Sequence, residues 1–151
     1  MEECTMSENP AQIQLQTRLR GLEEHLQAEN AHDVNAIMKT FADKGVLVFN
    51  GLPLSDHDRI RALHEGLGFS EQGGFSDLRI EEKQRYVSDA AIILEQVVSG
   101  THTGEWQGIA ATGRKMAVAV CTVYKFHEEG KLTSENVYFD TGVLLKQLGV
   151  L

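Results

Sequence analysis

Leu15, Leu19, Leu22 and Leu26 recur at steps of three and four residues, which stacks them on one face of a long helix. Asp33 then precedes Val34, Ile37, Met38 and Phe41, an apolar stripe of the same period with an N-cap residue in place. The pattern has Gly45 ending that helix and residues 46–49 forming a short strand closed by Asn50-Gly51. Ser55 and Asp58 mark the start of a third helix, which carries Ile60, Leu63 and Leu67 inward. Residues 66–74 contain four glycines and few apolar anchors, and read as a loop.

Beyond the loop the period changes from helical to alternating. Strands are predicted over 78–87, 90–102, 114–127 and 131–141. Ser88-Asp89 and Glu129-Gly130 supply turn residues, so neighbouring strands should pair as antiparallel hairpins. Helices first and a strand meander afterwards predict an α+β fold rather than alternating βαβ units. A sheet of long strands must curl to cover three helices, giving a half-open, cone-shaped half-barrel whose mouth admits a ligand. No internal repeat occurs.

Bulk properties narrow the function classes. A chain of 151 residues fits one domain, expected over residues 11–151 behind a short tail at 1–10. The net charge of −8, with basic residues scattered, argues against nucleic acid and anionic membranes as partners. No apolar run approaches the length of a membrane helix, and the acidic N-terminus is unlike a signal peptide, so a cytoplasmic location is expected. Cys4 lies in the polar N-terminal segment and Cys121 in an apolar strand, which does not suggest a disulfide framework.

Candidate chemistry collects in the second half. On the last predicted strand Ser134, Asn136, Tyr138 and Asp140 share one face, and Glu135, Val137 and Phe139 the other. Polar groups and a carboxylate beside an aromatic ring suggest a pocket lining, and aspartate is depleted in strands. The alternative is that Asp140 ends the strand and caps the next segment, which opens on Thr141-Gly142. His102, between two threonines at a strand end, is a candidate proton shuttle or donor, or else a hydrogen-bonded hairpin residue. Trp106, the only tryptophan, is a candidate apolar wall. Asp56-His57-Asp58 and His64 could touch a metal, but no ligand spacing supports one, and His25 and His32 read as surface or rim residues. Gly66-Leu67-Gly68 lacks the rest of a dinucleotide fingerprint.

Two stretches carry a family resemblance. Gly100-Thr101-His102-Thr103-Gly104-Glu105, followed by Gly108-Ile109 and Thr112-Gly113-Arg114, resembles the signature hairpin of SnoaL-like ester cyclases, in the nuclear-transport-factor-2-like superfamily. The ending Asp140-x-Gly142-x-Leu144-Leu145-x-Gln147-Leu148-Gly149 is similar to that family's closing motif. Weaker matches lie at Asn30-Ala31-His32-Asp33, Phe41-Ala42-Asp43 and Phe75-Ser76-Asp77-Leu78-Arg79. The resemblance covers about residues 20–151 and implies a cone-shaped α+β fold, commonly a homodimer, with a small-molecule pocket on the concave face. It also implies that Asp140 is the acid/base of a polyketide cyclase needing no metal or organic cofactor. One departure is Ala110-Ala111, where the family hairpin usually reads Pro-Pro.

Together these readings predict an aldol-type cyclase. Asp140 and His102 would be catalytic, and Trp106, Asn136 and Tyr138 substrate-binding. A non-catalytic binding module, or an isomerase or hydrolase using the same acid/base, is the alternative on this fold.

Overall fold

The computed structural model describes residues 9–151, so most of the expected tail, with Cys4, lies outside the described residues. Helix α1 spans Pro10–Asn30 and opens on a capping box, in which the Asn9 side chain accepts from the backbone while Gln12 reaches back. Helix α2 spans Val34–Lys39, capped by Asp33, whose carboxylate accepts the Ala36 N–H at 3.0 Å. It stops before Gly45 because Thr40 turns its hydroxyl back onto the Ile37 carbonyl at 2.6 Å and Phe41 already pairs with Leu132. Strand β1 therefore runs Phe41–Phe49, with Gly45 inside it, and β2 is the short return Leu52–Leu54. Helix α3, His57–His64, is capped by Asp56 rather than by Ser55, and continues into a π-helical turn, Glu65–Phe69.

The meander comes next as β3 Phe75–Val87, β4 Ile92–His102, β5 Lys115–Phe126 and β6 Leu132–Phe139. The six strands form one sheet in the order β2-β1-β6-β5-β4-β3. All pairings are antiparallel except β1 with β6, which is parallel, so the sheet is mixed rather than wholly antiparallel. Hairpin turns dictate direction only between consecutive strands. β1 meets β6 across most of the chain, and no local signal sets its sense. Register shifts in β1 and β3 bend the sheet where the ladder is interrupted.

A short helix, α4 (Thr141–Gln147), comes after β6 where the strand was expected to run on to 141. On the N-terminal side of Val120, β5 lacks β6 as a neighbour, and Gln147 takes over its edge. The Gln147 side chain accepts the Ala117 N–H at 2.8 Å and donates to the Ala117 carbonyl at 3.0 Å. Leu144 and Leu148 of this segment are buried.

The core lies between α1–α3 and the concave sheet face. Leu22, Ile37, Ile60, Ile92 and Leu94 are fully out of water, each side chain contributing about 1.5–3 kcal/mol of transfer free energy. Helix α1 can come close to the sheet because Gly21 has no side chain: a Cβ there would overlap the Gly130 carbonyl. Arg18 ties the same helix to the β3–β4 turn, donating to the carbonyls of Ser88 and Asp89. The buried face of α1 runs Arg18, Gly21, Leu22, His25, Ala28 and Glu29, so the leucine stripe alone does not describe it. The result is an unclosed α+β cone.

Candidate functional site

A cavity opens between the helices and the concave face. Leu47, Phe49, Leu63, Leu67, Phe69, Phe75, Met116, Val118, Val137 and Phe139 give it apolar walls. Its polar lining is confined to Glu29, His64, Gln96, Thr122, Tyr124 and Glu135. The cavity volume is about 70 Å³, well under the roughly 300–1,000 Å³ of most ligand pockets. That volume suits a compact ligand, and a multi-ring one only if the mouth widens.

Glu29 and Glu135 share the imidazole of His25. Nε2 of His25 lies 3.2 Å from Glu29 Oε1 and 3.2 Å from Glu135 Oε2, with all three side chains buried. Helix periodicity brings the first pair together, since His25 and Glu29 are four residues apart on α1. Strand alternation brings the second, since Glu135 points to the concave side of β6 with Val137 and Phe139. Neither oxygen receives an in-line hydrogen bond from the ring, because one N–H cannot aim at two acceptors. At its other nitrogen, His25 Nδ1 stands 2.7 Å from Thr40 Oγ1. The Thr40 hydroxyl already donates to the Ile37 carbonyl, so its oxygen accepts here and Nδ1 carries a proton.

This burial sets the electrostatics. Desolvation works against a charge on His25, but attraction to Glu135 and Glu29 outweighs it and raises the ring to about 10. Burial likewise disfavours charge on Glu135, yet the neighbouring imidazolium holds its carboxyl below the usual value. Tyr124, fully buried, is pushed well above the usual tyrosine range by desolvation and by the two carboxylates. It stays a neutral phenol and a donor. A polar chain aims it: Thr122 Oγ1 donates to Gln96 Oε1 at 2.9 Å, and Gln96 Nε2 donates to the Tyr124 oxygen at 3.3 Å. Among the described residues the Tyr124 proton is not committed to a partner. His64 donates from Nδ1 to the Ile60 carbonyl at 2.7 Å.

The residues singled out from the sequence fall differently. Trp106 lines the cavity, its ring edge-on to Phe75 at 5.5 Å, and the β4–β5 loop holds it there. Gly74 makes room for it, since a Cβ would come within 2.6 Å of the Trp106 Cβ. His102 is fully buried outside the lining. Its Nδ1 lies 2.9 Å from Thr112 Oγ1 and accepts the Thr112 N–H, and its ring stacks on Phe75 at 5.1 Å. Asn136 and Tyr138 lie on the opposite face of β6 from the cavity, and Tyr138 is 46% exposed. Asp140 is exposed, and its carboxylate caps α4 by accepting the Val143 N–H at 3.2 Å. The face of β6 taken for the pocket lining is thus the outer one. Glu135, Val137 and Phe139 form the inner one, because that is the face β6 shares with the inward Thr122 and Tyr124 of β5.

Sequence pattern alone missed His25, Glu29 and Glu135. In the sequence His25 reads as a surface or rim residue and the acidic residues show no ligand pattern, whereas folding brings these three within 4.8 Å of one another. One signal was available: a histidine and a glutamate four apart on the buried face of a helix are costly unless a partner waits for them.

The model of the SnoaL-like polyketide cyclase family matches residues 17–148. Among solved structures, AclR from Streptomyces galilaeus is 25% identical, with 89% of this chain and 96% of that one covered at a TM-score of 0.74. A SnoaL-like protein from Jannaschia Sp. CCS1 superposes with a TM-score of 0.79 at 13% identity, covering 97% and 99% of the two chains. An LEH-like epoxide hydrolase from M. tuberculosis shares the fold at 19% identity and a TM-score of 0.66, over 88% and 90%. No sequence match to a curated protein is found. A family model spanning nearly the whole described chain, on a cone with an internal cavity, places this protein in the SnoaL-like polyketide cyclase family.

Proposed function

We propose that the protein is a cofactor-independent acid/base enzyme that closes a ring on a compact polyketide-like molecule by an aldol-type reaction. The observation that carries this reading is the pair Glu29 and Glu135, which share His25 at the polar end of an otherwise apolar cavity. In the reaction, one carboxylate of the pair removes a proton from a carbon between two carbonyls. The His25 charge lies between the two carboxylates and keeps the remaining one ionised. The enolate oxygen takes a hydrogen bond from Tyr124, whose donor strength is reinforced by the Thr122–Gln96 chain behind it. A preorganised donor of this kind is commonly worth about 3–4 kcal/mol. The enolate carbon attacks an intramolecular carbonyl, and the protonated carboxyl returns its proton to the new alkoxide. The apolar walls hold the chain folded so that the two carbons meet.

Turnover of a cyclisable β-dicarbonyl chain, followed by product mass and absorbance, tests the proposal. Loss of turnover in Glu29→Gln and Glu135→Gln with normal melting supports it, and undiminished turnover in both overturns it. The second reading, a small-ligand-binding module, is favoured by the tightness of the cavity. Native mass spectrometry showing a retained ligand that never changes mass would select it.

The proposal includes a homodimer, in the cytoplasm, formed through the outer sheet face. That face carries Ala117, Ala119, Cys121 and Val123 of β5, aligned with Ser99, Val97, Glu95 and Ile93 of β4. Apart from Glu95 these side chains are small or apolar, and they leave a flat surface suited to a second copy.

A further inference from the structure

The proton on Nδ1 restricts what His25 can do at Nε2. That nitrogen is fully buried and stands equally close to Glu29 Oε1 and Glu135 Oε2, and among the described residues none of the three atoms has a hydrogen bond of good geometry. An N–H has one direction. A group with no preferred direction, seated among the three atoms, would satisfy all of them.

We propose that His25, Glu29 and Glu135 form a site for one divalent transition-metal ion of zinc-like preference, which takes the place of the Nε2 proton and keeps a coordination position open to the cavity. One imidazole nitrogen and two carboxylate oxygens are an ordinary ligand set for such an ion. Two donors each about 2.1 Å from a tetrahedral zinc lie roughly 3.4 Å apart. Both nitrogen–oxygen distances here are already 3.2 Å. All three donor atoms fall within 4.8 Å of one another, so torsion of the glutamate side chains closes the tripod. The outer support is also in place: a metal-bound histidine characteristically donates its other N–H to a fixed acceptor, as His25 does to Thr40. Glu29 and Glu135 line the cavity, which gives the ion its entry path. Binding is a balanced exchange. The Nε2–H bond breaks, its electron pair becomes the metal–nitrogen bond, and one proton leaves to solvent.

With a metal bound, both carboxylates are ligands and neither is a base. Metal binding therefore does not depend on ring closure, and zinc is expected to inhibit that reaction.

Chelator-stripped full-length protein, titrated calorimetrically with zinc chloride at pH 8, should take up one equivalent and release protons. Cobalt(II) chloride should then give the intense visible bands of low-symmetry coordination. Glu29→Gln and Glu135→Gln should each weaken zinc binding by at least ~10–100-fold, whereas Asp140→Asn should bind as the parent does. Thermal melts of the variants confirm folding, and the cobalt spectrum of the unaltered protein needs no variant. No zinc uptake at micromolar protein, or uptake indifferent to both substitutions, overturns the site. Turnover by the stripped protein without zinc uptake would remove the metal and leave the acid/base reading standing. Zinc uptake without turnover in the stripped protein would do the reverse.

Discussion

Glu135 on β6 reaches His25 on α1 at 3.2 Å, and both side chains are sealed from water. This contact ties the helical layer to the sheet through charge as well as through apolar packing. Its contribution must therefore vary with pH.

His25 is raised from its ordinary 6.5 to about 10 in the fold, so its stabilisation is complete below pH 6.5 and is lost as pH rises through 10. Glu135 is lowered from its ordinary 4.5, so its stabilisation is present above pH 4.5 and is lost as pH falls through its folded value. The pair should be most stabilising between about pH 4.5 and 6.5, with a decline towards 10. Urea unfolding across that range measures it. A His25→Gln protein that folds yet keeps the same alkaline slope would contradict the assignment.

Thr40 should matter more than its size suggests. Thr40→Val keeps the shape but leaves the His25 Nδ1–H without a partner, at a cost of about 1–3 kcal/mol. Turnover should fall as well, since the ring loses its fixed orientation. A denaturation midpoint equal to the parent's would show that the hydroxyl is dispensable.

Two carboxylates that sequence pattern conflates are separated by their surroundings. Glu135→Gln should reduce turnover by ~10²–10⁴-fold. Asp140→Asn should leave it within a few-fold, because asparagine caps helices as well as aspartate does. Asp140→Ala should instead cost about 1 kcal/mol through loss of the α4 cap. Abolished turnover in a well-folded Asp140→Asn protein would return the acid/base role to that residue.

Ala119→Arg, placed on the outer face opposite Val97, should yield monomers. Sedimentation velocity at micromolar concentration reads the change directly. A parent protein that already sediments as a 16.7 kDa monomer removes the dimer proposal.

Much of the architecture was legible in local pattern. The unbroken run Met116–Tyr124 marks β5 as a strand without reference to anything else, although both of its faces are apolar and the run does not say which one turns inward. Asp33 announces α2, and the turn residues at 88–89 and 129–130 announce the hairpins. These signals are local because a cap or a pleat involves residues within a few positions of one another. The family motifs at 100–114 and 140–149 were readable for the same reason, and they identified the cone before its geometry was known.

Tertiary structure alone decided which side of β6 faces the cavity. Period two groups Glu135 with Val137 and Phe139, and Asn136 with Tyr138, but each set mixes polar and aromatic residues, so neither announces itself as buried. The register of β6 between β1 and β5 makes that choice, and a shift of one residue would reverse it. The same holds for His25 and Glu29. On an isolated helix they look like a solvated pair, and only the arrival of Glu135 from the far end of the chain turns them into a site. A sequence records which residues are charged; the fold decides which charges are taken out of water together.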